Sequence, residues 1–178
     1  MLNFILKEVK DYKIRIIGKG NYNGIDMFDA FEYMRKINNL VGENKIYCNR
    51  CKRMVFSQEM IFRLPPILIV VLNRGKNGQD FNEQFKFGEV LNFNSSDHVI
   101  DKKSYKKYFL CGLISRIGGI NSTSHFISFC RNSINNKFIM YNDTLVTENI
   151  EIDDAMKFKI SDNDNEKVTP YILFYHYF

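Results

Sequence analysis

The chain has 178 residues, 45% of them hydrophobic, which is enough for one well-buried core. Its net charge of +5 is mild, and the densest basic stretch, Lys102 to Lys107, is interrupted by Ser104 and Tyr105. That is the composition of a solvated loop and argues against a nucleic-acid partner. No apolar run approaches the roughly 20 residues that span a bilayer, so no membrane partner is expected either.

In chain order, the start is not organised as a signal peptide, because Lys7, Glu8 and Lys10 closely follow a short apolar run. Leu2 to Ile17 reads as one or two strands, with Ile14, Ile16 and Ile17 strongly β-prone. Gly18 to Gly24 is a turn-rich break. A helix is predicted from Met27 to about Leu40, since Met27, Phe28, Phe31, Met34 and Ile37 recur at helical spacing. Asp26 can cap its first turn, and Gly42 ends it. A polar segment then carries Cys48 and Cys51. Beyond Pro65-Pro66, Ile67 to Leu72 reads as a strand buried on both faces. Asn73 to Asp80 is a Gly/Asn-rich loop, and Phe81, Phe85, Phe87, Leu91 and Phe93 predict short strands after it. Four strands fill the end, at Tyr108–Ile117, His125–Arg131, Lys137–Asn142 and Tyr171–Tyr177, with a short helix within Ile152–Ile160. With 16 Phe and 10 Tyr, the whole is mainly antiparallel sheet with one clear helix, an α+β fold.

The chemistry concentrates on His125, which heads an aromatic-rich strand, and on the Asn142-Asp143 pair 17 residues downstream. Histidine moves protons near neutral pH, and an amide or carboxylate oxygen can hold its ring. If Asn132 to Asn136 make the turn, His125, Ile127 and Phe129 share one face of a hairpin. Two registers are open. Pairing Arg131 with Phe138 puts Asn142 opposite Ile127, diagonal to His125; pairing Arg131 with Lys137 puts Asp143 directly opposite His125. What is missing is a nucleophile. Cys130 falls on the face away from His125 and Cys111 sits in an apolar strand, so both read as small core residues. His98 and His176 read as structural. Four cysteines with one C-x-x-C pair fit a reducing, intracellular compartment, the cytoplasm or nucleus, better than a disulfide scaffold. Cys48 and Cys51 supply two of the four ligands a structural zinc needs.

Taken in order, the helix, Tyr47-Cys48-x-x-Cys51, Leu64-Pro65-x-Ile67-Leu68-Ile69-x-x-Leu72-x-Arg74, Phe87-x-Glu89-x-Leu91, Tyr108-x-Leu110-x-Gly112-Leu113-Ile114-Ser115, His125-Phe126-x-x-Phe129-x-Arg131, Tyr141-Asn142-Asp143 and Tyr171-Ile172-Leu173-Phe174-Tyr175 form a series. The series resembles the C-terminal half of a ubiquitin-specific protease catalytic domain, a papain-like cysteine deubiquitinase with fingers, palm and thumb. The resemblance implies that residues 1–60 are the remainder of the fingers and 61–178 the palm. It implies that His125 is the general base, Asn142 its orienter and Asp143 an auxiliary group. Ser124, Phe126, Gly118 and Gly119 would meet the substrate, with Ser115 to Ser124 and Asn73 to Asp80 as loops over the ubiquitin tail. Ubiquitin and ubiquitinated proteins would be the partners, together with the missing N-terminal half of the domain. No cofactor is expected for catalysis; zinc would need a second cysteine pair from outside the chain.

The departures set further expectations. Ser124 stands where the family has glycine, Asn73-Arg74-Gly75 where it has Lys-Arg-Phe, and Gly88 where it has proline. The Gly-Asn-Thr-Cys-Tyr box of the nucleophile is absent, so the chain reads as a fragment or truncated gene model and is expected to be inactive alone. The other reading is a catalytically dead ubiquitin-binding scaffold. A small zinc-binding nucleic-acid domain has only the mild basicity and one C-x-x-C behind it.

Overall fold

The computed structural model describes residues 1–39, 45–75, 83–93, 98–101, 106–118, 125–157 and 168–177. The chain opens with β1 (Leu2–Ile5) and turns directly into α1 (Leu6–Ile17). This corrects the expectation of strands up to Ile17. Leu6 and Val9, three apart, bury fully on one helix face, and this packing overrides the β preference of the isoleucines. Gly18, at φ 80°, ends the helix with its N–H on Ile14 O. After β2 (Ile25–Asp26) comes α2 (Met27–Arg35), opened by a reciprocal capping box between Asp26 and Asp29. Met27, Ala30 and Phe31 are its buried face. It stops at Arg35, short of Leu40, because Lys36 is already extended and Asn38–Asn39 pair as a strand. Gly42 lies outside the described residues.

Short ribbons follow: β3 (Asn38–Asn39), β4 (Tyr47–Cys48), β5 (Arg53–Met54) and β6 (Phe56–Ser57), with β3 paired to β6 and β4 to β5. The large strands are β7 (Ile67–Asn73), β10 (Lys107–Ile117), β11 (His125–Arg131), β12 (Phe138–Asn142), β13 (Leu145–Ile150) and β14 (Val168–Tyr177). Between β7 and β10 lie the short β8 (Phe85–Lys86) and β9 (Val90–Asn92), and α3 (Ile152–Lys157) follows β13. Both expected helices are present, the second of them as α3, and α1 is the helix that was not expected. β13 was not anticipated, since five of its six residues are exposed and carry no apolar alternation.

One eight-stranded sheet dominates, in the order β1-β7-β14-β10-β11-β12-β13, with β9 also paired to β10. Only β1 runs parallel, against β7. Direct register partners form a continuous row from Val70 through Leu173, Leu113 and Phe129 to Met140, and all five are buried. The next row outward, Val71, Ile172, Ile114, Ser128 and Tyr141, is half-buried or exposed. β7, next to the edge strand β1, is therefore fully buried on one face only, and Ile67 is exposed. A bulge at Cys111 lets Leu110 and Leu113, three apart in β10, both face the core. Gly112 beside it is closely approached: a Cβ would lie 3.2 Å from Phe129 O, and that carbonyl would have to give by a few tenths of an ångström.

Two large buried polar side chains, Tyr175 and Arg74, are paired where the strands meet. Tyr175 Oη donates to Gly88 O at 2.8 Å. Arg74, 2% exposed, donates from Nε to Pro170 O and from Nη1 to Glu83 O. Burial lowers its pKa to about 10, which leaves it charged at neutral pH. His98, read as structural, is buried against Phe28 and Phe31. No helix among the described residues is long and apolar enough to cross a membrane.

Candidate active site

His125 is the first residue of β11 and Asn142 the last of β12. The turn over Asn132–Asn136 closes with Asn132 N–H on Lys137 O and Asn136 N–H on Asn132 O, and Asn136 takes a left-handed φ of 61°. That turn selects the register in which Arg131 pairs with Phe138. A one-residue slip would have turned every β12 side chain to the other face. In the register present, Asn142 Oδ1 lies 2.6 Å from His125 Nε2. An amide oxygen only accepts, so Nε2–H donates to it and the ring's lone pair is left on Nδ1. The histidine side chain is 41% exposed, open enough for that lone pair to be reached.

Asp143 is close as well. Its Oδ2 lies 3.8 Å from the same Nε2, and its side chain is 79% exposed. The residue starts the two-residue link between β12 and β13 and takes φ 51°, a conformation aspartate tolerates better than most side chains. Amide and carboxylate thus both approach one ring nitrogen, at hydrogen-bond distance for the first and ion-pair distance for the second.

The cysteines are elsewhere. Cys130 is exposed on the opposite face of β11, five residues and about 17 Å along the strand from His125. It is not the core residue expected, because Ile127 and Phe129 take the buried positions by alternation. Cys111 is half-buried, its thiol donates to Phe174 O at 3.3 Å, and burial pushes its pKa up. With Cys111 held to a backbone carbonyl and Cys130 at the far end of β11, neither thiol stands beside the imidazole.

Cys48 and Cys51 bracket the turn between β4 and β5. The Cys51 N–H donates to Cys48 Sγ at 3.2 Å, and Lys52 turns the chain at φ 55°. The hydrogen bond from the Cys51 thiol lowers the pKa of Cys48, and the same bond raises that of Cys51. Two thiols on one tight turn, with an amide directed at sulfur, fit half of a four-ligand zinc site. Among the described residues no group of three or more His, Cys, Asp or Glu is placed to hold a metal.

Of the substrate-contact candidates, Ser124 and Gly119 lie outside the described residues, as do most of the 115–124 and 73–80 loops. Ser115 to Ile117 are not loop; they are buried in β10, and the chain leaves the strand at Gly118, with φ 140°. Phe126, next to His125, is exposed. Its ring meets Tyr171 edge-on, with centroids 5.6 Å apart. In the sequence Tyr171 is one aromatic of a terminal strand, with no spacing that ties it to Phe126.

Residues 20–175 match the ubiquitin carboxyl-terminal hydrolase family. The chain belongs to that family. It has the papain-like fold of a ubiquitin-specific protease domain, mostly sheet with few helices. Ubiquitin carboxyl-terminal hydrolase 9 of Saccharomyces cerevisiae is 28% identical over 172 residues, which are 93% of this chain and 22% of that protein. Probable ubiquitin carboxyl-terminal hydrolase 16 of Schizosaccharomyces pombe is 28% identical over 130 residues, 70% of this chain and 28% of that protein. Among solved structures, a Ubp8/Sgf11/Sus1/Sgf73 DUB module of SAGA superposes with a TM-score of 0.66 at 23% identity, over 86% of this chain and 33% of that one. The chain thus spans less than a third of the curated relatives it matches.

Proposed function

We propose that this chain is the base-bearing part of a cysteine deubiquitinase that hydrolyses the bond after the C-terminal glycine of ubiquitin. The 2.6 Å contact between His125 Nε2 and Asn142 Oδ1 carries the reading. It leaves Nδ1 as the atom that takes a proton from an attacking thiol and later gives one to the lysine leaving group. Asn142 fixes the ring, and Asp143 adds a negative charge near the imidazolium that an amide cannot supply. Substrate contacts fall to Ser124, Phe126, Gly118 and Gly119, and the partners are ubiquitin and its conjugates inside the cell.

The thiol comes from an N-terminal half of the domain. Two observations support this division. None of the four cysteines stands beside His125, and the outer row of the sheet, Ser128 and Tyr141 apart, is apolar where a solvent-facing antiparallel sheet carries polar residues. In this reading residues 1–60 are the remainder of the fingers, with β1 lent to the sheet, and 61–178 the palm. Cys48 and Cys51 hold a structural zinc together with a second pair from that half; when bound, the metal would pin the finger turn and take no part in the hydrolysis.

The test is hydrolysis of a ubiquitin–fluorophore amide by the chain alone and by the chain joined to the N-terminal half of a relative. Turnover only in the joined protein, lost on His125→Ala, is expected. Cleavage by the isolated chain, or labelling of any of its cysteines by a thiol-reactive ubiquitin probe, overturns the division. The absence of a local thiol also favours a second reading, a ubiquitin-binding scaffold; the joined protein binding ubiquitin without turnover would select it.

A further inference from the structure

A cavity of about 710 Å³ opens between α2, β8, β9 and His98. It shares no residue or strand with His125 and Asn142, and its volume lies within the range of small-molecule sites. Its walls are aromatic: Phe28, Phe31, Phe87 and Phe93 line it. Phe31 and Phe93 are buried and pack edge-on at 5.3 Å, so the inner wall is fixed. Phe28 is different, because it is 64% exposed at the mouth. It sits in the first turn of a helix already capped by Asp26 and Asp29, where a polar residue would serve the helix as well.

The charges in the lining narrow the chemistry. The Asp26 carboxylate accepts the Asp29 N–H. Glu32 has Arg35 Nη2 at 3.6 Å and His98 Nε2 at 3.4 Å. Those two carboxylates are engaged. Lys86, which also lines the cavity, is exposed and makes no ion pair among the described residues. Of the Lys and Arg side chains in the lining, Arg35 is paired with Glu32, so Lys86 offers an ammonium beside a phenylalanine-lined hollow. We infer that the cavity binds a flat aromatic carboxylate, its ring against the phenylalanine lining and its anion on Lys86 Nζ. Ring-on-ring burial holds the ligand, and one charge-assisted hydrogen bond orients it.

Naphthoate and its neutral counterpart naphthamide test this by amide NMR titration of the whole chain. Saturable shifts centred on α2 and β9 are expected, with the acid about five-fold tighter than the amide, the upper end for one exposed ion pair. Lys86→Gln should erase that preference while leaving naphthamide binding unchanged, and Phe28→Ala should weaken both ligands. Both side chains are exposed, so the fold should survive either change; were it lost, the acid–amide comparison in the unaltered chain still decides. Failure to saturate at millimolar ligand, equal binding of acid and amide, a preference that survives Lys86→Gln, or shifts centred on the outer face of the sheet would each overturn the inference.

Discussion

Two rows of one sheet, a single register step apart, behave oppositely. Val70, Leu173, Leu113, Phe129 and Met140 cross five strands with none more than 5% exposed. Val71, Ile172, Ile114, Ser128 and Tyr141 cross the same strands half-covered or open. Both rows are largely apolar, so hydrophobicity does not separate them; what separates them is whether something packs on top. The inner row is covered by this chain's own residues, whereas the outer row is left half-covered or open among the described residues. The catalytic proposal divides in the same way. His125 and Asn142 are joined within one hairpin, and the thiol is supplied from outside it.

The largest expected effect tests that division. In the protein joined to its N-terminal half, His125→Ala should lower kcat by about 10,000-fold, the full contribution of a general base. A loss of only a few fold would remove His125 from the chemistry. Next comes the inner row, where Phe129→Ala should cost about 3–5 kcal/mol in urea unfolding. A cost near zero would mean that the row is not the core.

Asn142→Ala should fall between the extremes, lowering kcat by about 10- to 100-fold, because it orients the base and transfers no proton. Asp143→Asn should lower it less than that; a larger effect from Asp143 would exchange their roles. The smallest effect belongs to the outer row. Ile172→Ser should cost the isolated chain no more than about 1 kcal/mol, since the site is half solvated already. The same substitution in the joined protein should cost several times as much. Equal costs in the two contexts would leave the outer row without a partner.

Much of this layout is legible in the residues. The bounds of β11 follow from alternation between His125 and Arg131, and the start of α2 from Asp26 and its apolar face; the end of α2 at Arg35 does not, because the same spacing runs on to Leu40. The histidine and its neighbours Asn142 and Asp143 stand out because few other residues combine proton transfer with a nearby oxygen. The choice between them was not legible, since it turns on one step of register set by the conformation of the Asn132–Asn136 turn. α1 was hidden by β-branched residues whose preference yields to packing of Leu6 and Val9. The short ribbons and β13 were hidden because strands of two residues or without buried positions leave no periodic trace. The bulge at Cys111 is invisible for the same reason, and it decides which side of β10 each residue faces.

The parallel pairing of β1 with β7 bears on how the chain assembles. β10 to β13 are consecutive strands joined by short links, so the segment that aligns His125 with Asn142 closes only small loops. Leu2 and Val70, by contrast, meet across 67 intervening residues. Loop closure of that length is entropically costly and is repaid only after the partner strand is in place. On that argument the hairpin carrying His125 and Asn142 is expected to form before β1 joins the sheet edge.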